Sequence, residues 1–207
     1  MDTIIDIIGS TIVAGLLILA VVGINVSISN AASDSNVQVI TQSDVTAIAD
    51  GIVYDFYKIG FRASPAILFA DTDKISFRAD LEEDGTPDTL SYFTAPAPVV
   101  AGENPNMIVL FRHIWDSATG QASTTGASLG QTSFELSYYD STGDSIAIPP
   151  GGLSIQGGTK DDSLLSAIRS IRIQVLVQSP NRMISDTTYA GAYWEQYVSP
   201  KNLRALM

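Results

Sequence analysis

From Ile7 to Ser33 the chain carries no charge. Ile, Leu, Val, Ala and Gly fill most of that run, as in Ile12-Val13-Ala14-Gly15-Leu16-Leu17-Ile18-Leu19-Ala20-Val21-Val22. As a helix rising ~1.5 Å per residue, about 25 residues reach ~37 Å, enough to cross a ~30 Å hydrocarbon core. A helix on the surface of a soluble domain shows a polar face at helical spacing. This run shows none, so it belongs in lipid, in a bundle of similar helices, or in each at different times. It does not read as a removable secretory signal. Such a signal has a basic start and an apolar core of about 7–15 residues. Here the start is acidic, Met1-Asp2-Thr3-Ile4-Ile5-Asp6, and the first basic residue is Lys58. The segment therefore reads as a retained structural part.

Beyond it, a polar stretch of small residues, Asn30 to Asn36, is expected to loosen or end the first helix, with Ser33 or Asp34 capping a second. Val37 to Phe61 is amphipathic. Val37, Ile40, Val45, Ile48, Ile52, Val53, Phe56 and Ile59 fall on one face, and Asp44, Asp50, Asp55 and Lys58 fall largely off it. Tyr54, Phe56, Tyr57 and Phe61 read as the contact between helix and sheet. Gly60 is the expected stop.

After residue 62 the hydrophobic period changes to two. Ala66–Ala70, Ile75–Leu81, Thr89–Thr94, Met107–Arg112, Thr132–Tyr139, Ser145–Ile148, Ile171–Gln178 and Ala190–Val198 read as strands. Asp161 to Ser170 reads as a short helix. Ala95–Asn106 and Ser117–Gly130, rich in Pro, Gly, Ser and Thr, read as loops. The expected class is α+β: a long N-terminal helix, apolar over 1–33 and amphipathic over 34–61, packed on an antiparallel head, 62–207. That head, about 145 residues, has room for one core.

Of 207 residues none is cysteine, which excludes disulfides and thiolate metal sites. The net charge of −11 argues against nucleic acid as a partner, since phosphate binding needs a basic face. Catalysis finds little support: His113 is the only histidine, and neighbouring Asp116 with scattered serines makes no triad, so no enzyme is expected.

Two clusters carry candidate chemistry. Asp2 and Asp6 stand four apart at the helix start, where either first-turn carboxylates complement the helix dipole or one meets a neighbouring chain's positive group. Small residues follow at helical spacing, Ser10 with Ala14 and Thr11 with Gly15, allowing close backbone approach between helices. The second cluster is Asp80, Glu82, Asp84, the Thr86 carbonyl and Asp88, at positions one, three, five, seven and nine around Gly85 at six. That spacing matches the first part of an oxygen-ligand calcium loop, without the glutamate at position twelve, which is Ser91. It resembles the short calcium hairpins of integrin-type propeller repeats, which close on an aspartate at position nine. The competing reading is an ordinary Asp-Gly hairpin with solvated acids.

The layout resembles the type IV pilin and pseudopilin superfamily, nearest to minor pilins with large heads. The resemblance rests on the apolar-then-amphipathic helix, on Asp55-Phe56-Tyr57-Lys58-Ile59-Gly60-Phe61, on the hairpin from Ile75 to Tyr92, and on Ile171–Val175 with the closing Pro200-Lys201-Asn202-Leu203-Arg204. It implies a subunit of an extracellular, pilus-like filament, held in the membrane before assembly and then bundled with copies of itself. The alternative is a single-span envelope protein whose extracytoplasmic head binds a ligand or partner. The family has a basic leader before its apolar helix, and none is recognisable here. It also has an early glutamate; Thr3-Ile4-Ile5-Asp6 is similar in character, and by that likeness Asp6 would neutralise a neighbour's terminal amine.

Overall fold

The computed structural model describes residues 2–98, 100–155, 160–185 and 188–203, with the side chain of Asp2 left out. One helix, α1 (Asp2–Tyr57), runs unbroken through the polar stretch at 30–36. The expected break is absent. Asn, Ser and Asp each cost only about half a kcal/mol relative to Ala in a helix, too little to open one that is fixed by contacts further along. Asp34 does not cap a second helix. It lies inside α1 and is buried.

Ten strands follow: β1 (Ile67–Ala70), β2 (Lys74–Ala79), β3 (Asp88–Pro96), β4 (Ile108–Asp116), β5 (Gln121–Ala127), β6 (Gln131–Tyr139), β7 (Ser145–Ile146), β8 (Leu153–Ser154), β9 (Ser170–Arg182) and β10 (Tyr189–Val198). A short helix, α2 (Lys160–Ala167), precedes β9, and a 3-10 turn, Lys201–Leu203, follows β10. Arg204 lies outside the described residues. The fold is α+β, with a long N-terminal helix packed on antiparallel strands. The strands form two sheets: six in the order β5-β4-β3-β2-β1-β8, and four in the order β10-β9-β6-β7.

The region 117–130, expected to be a loop, holds β5. Its sequence Gln-Ala-Ser-Thr-Thr-Gly-Ala has no apolar alternation because it is an exposed edge strand paired only with β4. The strand expected over Met107–Arg112 runs on to Asp116, and the one expected over Ser145–Ile148 shrinks to two residues.

The core fills the space between the lower half of α1 and the inner faces of both sheets. Val45, Ile48, Ile52, Phe56 and Ile59 supply the helix side. Phe77, Leu90 and Tyr92 from one sheet and Leu136, Ile173 and Val175 from the other supply the rest. The turn between β1 and β2 joins the sheets: the Leu136 amide donates to the Thr72 carbonyl at 2.7 Å, and the Tyr138 hydroxyl to the Asp71 carbonyl at 2.8 Å. Ile40, expected on the apolar face, is 59% exposed, and of the helix rings expected to contact the sheet Tyr54 and Tyr57 face outward while Phe56 fills the core. Its ring centroid sits 5.7 Å from both Phe77 and Tyr92. Asp55, expected off the apolar face, is 2% exposed.

Candidate assembly surface

Among the described residues, nothing covers the upper half of α1. From Ile4 to Ile28 every large apolar side chain is 52–68% exposed. By length and composition the helix can cross a membrane, and none of its most apolar window is buried. An apolar patch on an ordinary soluble monomer rarely exceeds a few hundred Å². This rod presents apolar side chains all round its circumference, on a helix long and apolar enough to cross a membrane.

The residues expected at the start of the helix fall on this rod. Asp6, Ser10 and Ala14 are exposed, and Gly15 is half-buried. Only the backbone of Asp2 is described. Ser10 donates its hydroxyl to the Ile7 carbonyl at 2.9 Å and Thr11 to the same oxygen at 2.8 Å, so neither leaves a free donor in apolar surroundings. A Cβ added at Gly9, Gly15 or Gly23 would meet nothing within 4 Å. These positions are open notches where another backbone can approach closely.

What makes the rod project is the way its lower half is fixed. Three devices hold it. Asp34 accepts the amides of Ile184 (2.8 Å) and Ser185 (3.1 Å), at the tip of the β9–β10 hairpin. One turn on, the Gln38 amide reaches the Met183 sulfur at 3.8 Å. These contacts mark where the head begins along the helix.

Deeper in, Asp55 accepts from the Tyr92 hydroxyl, from Arg112 Nε, and from the second guanidinium nitrogen at 3.1 Å. Tyr92 is on β3 and Arg112 on β4, directly paired across the ladder. One carboxylate thus ties the helix to two strands. The partners answer electrostatically. Burial pushes the Tyr92 phenol well above the ordinary tyrosine range, and the neighbouring Asp55 charge adds to it. Hydrogen bonding to Asp55 raises Arg112 further.

The third device is the exit at Gly60, with φ +76°. Its amide donates to the Arg78 carbonyl at 2.9 Å, and an added Cβ would stand 3.0 Å from that of Ala66. A left-handed residue without a side chain suits both demands.

The hairpin of acids lies in the loop between β2 and β3. Asp80 is fully buried. Its Oδ2 accepts from Arg62 at 3.3 Å and from the Gly85 amide at 3.1 Å. Asp88 is buried and accepts the Ser117 amide at 3.1 Å, whereas Glu82 and Asp84 face solvent. Asp84 accepts the Thr86 amide at 2.7 Å. Among the described residues, no group of three or more His, Asp or Glu side chains stands close enough to hold a metal ion.

His113 pairs through Nδ1 with the Thr124 hydroxyl at 2.7 Å on the face of β4 and β5. No protein-family model and no curated protein matches this chain.

Proposed function

We propose that this protein is a structural subunit of an extracellular, pilus-like filament. Its bare helices bundle along the filament axis and its acidic heads face water. Before assembly the helix lies in the membrane. The observation that carries this reading is the continuous exposure of every large apolar side chain from Ile4 to Ile28, on a helix whose other half is fixed in the head. Hiding one such Leu, Ile or Val contributes about 1.5–3 kcal/mol wherever it is hidden from water. Lipid and a helix bundle supply similar surroundings, so transfer between them costs little, and packing at Gly9, Gly15 and Gly23 can favour the bundle.

The test uses cells that make the chain. Surface fibres are sheared off, imaged by electron microscopy, and their protein identified by mass spectrometry. The proposal expects the chain in the fibres. Recovery only from the membrane fraction, as a detergent-extracted monomer, refutes it and favours a single-span anchored protein with a binding head.

A further inference from the structure

We infer that the loop between β2 and β3 binds one calcium ion, with Asp80 as its interior ligand. Asp80, Glu82, Glu83, Asp84 and Asp88 place five carboxylates within nine residues. Two of them, Asp80 and Asp88, are buried at the two ends of the loop, beside the Ala79–Asp88 pair that closes the ladder. Among the described residues Arg62 pairs with Asp80 at 3.3 Å, half its side chain in solvent, and the Lys58 ammonium reaches the Leu81 carbonyl of the same loop at 3.4 Å, which leaves five carboxylates facing two cations.

The second observation is independent of the acid count. Asp80 has no exposed surface, and its Oδ1 is buried without any hydrogen-bond partner. The other oxygen accepts the Gly85 amide from across the loop, so this carboxylate is directed into the loop and not away from it. A buried carboxylate oxygen left unpaired costs free energy, and native proteins seldom tolerate one. A hard cation is the ligand that an unpaired carboxylate oxygen in an acidic loop suits best.

The remaining ligands come from the same loop. Glu82 and Asp84 are exposed at the mouth of the loop, and Asp84 there holds the Thr86 amide through Oδ1, leaving its second oxygen to face an ion. Gly85, with φ +90°, makes the turn between Asp84 and Thr86, whose carbonyl is the ligand this proposal adds. Calcium fits better than magnesium, because calcium accepts many oxygens in irregular geometry and magnesium demands a near-octahedral shell. In the arrangement described, the acids do not yet converge. The ion draws the two exposed side chains inward, and Arg62 gives up part of its hold on Asp80. Binding at this loop does not depend on filament assembly.

The test is calorimetric titration of the full chain in detergent, after treatment with a chelator, with calcium chloride and separately with magnesium chloride. One saturable calcium site is expected, with a dissociation constant of roughly 10⁻⁴–10⁻³ M, the range of extracellular modules. Asp84→Asn changes an exposed residue, so the head stays folded, and weakens binding by about tenfold or more. Glu83→Gln, at a position that supplies no ligand, leaves binding unchanged. Three results overturn the inference: no heat up to roughly 10 mM calcium, ten times the weak end of that range; equal binding of magnesium; or equal loss in the Glu83 and Asp84 variants, which indicates diffuse counter-ion attraction.

Discussion

Asp55 shows how much one side chain can organise. It is a carboxylate inside an apolar core, and it is tolerated because three donors from Tyr92 and Arg112 converge on it. Asp55→Ala leaves Arg112 and the Tyr92 hydroxyl without their acceptor. Arg112 keeps a third of its side chain in solvent, so the loss falls between the exposed and buried limits for ion pairs, about 2–4 kcal/mol by denaturant unfolding. Tyr92 also sets a pH dependence. Its phenol is held above its unfolded value of about 10, so its contribution is complete below that pH and lost as pH rises through the folded value. Stability should therefore fall above about pH 10, and Tyr92→Phe should flatten that fall. A curve unchanged by Tyr92→Phe contradicts the assignment. Asp55 was legible in the sequence to anyone following spacing over polarity. It stands three residues after Ile52 and four before Ile59, on the buried stripe. Its charge argued the other way, and burial won because the partners lie on strands far along the chain.

Among the elements, α1 was the most readable and its continuity the least. The stripe Thr41, Val45, Ile48, Ile52, Phe56 and Ile59 is buried, and Asp34, seven residues before Thr41, extends it by two turns. Polar residues at 30–36 suggested a break, but local propensity there is weaker than the tertiary grip of Asp34 on the β9–β10 hairpin. Asp34→Ala orphans the Ile184 and Ser185 amides. We expect hydrogen exchange at these two amides to quicken several-fold while the central amides of β9 stay protected, and protection unchanged at both would show that the carboxylate is not the latch. Strand β5 was illegible for a different reason. Alternation appears only where one face is buried, and an exposed edge of small polar residues has no inner face to mark. Likewise the division of the strands into two sheets depends on pairings such as β6 with β9, which are remote in sequence and leave no local trace.

At the scale of the molecule the charge and the grease are separated. The first 33 residues hold only Asp2 and Asp6 as charged groups, and every basic residue lies at or beyond Lys58. On the proposed function, a body divided in this way places its head in water and its rod out of it. The cysteine-free chain makes the key contact directly measurable. Leu17→Cys puts a single thiol on the bare rod, where the native side chain is 62% exposed. If rods from neighbouring copies lie side by side, as the proposed function requires, mild oxidation of sheared fibres from cells making this variant should yield covalent dimers of the chain. If the chain in those preparations remains monomeric after oxidation, the rods do not meet, and the account of a helix hidden among its own copies is contradicted.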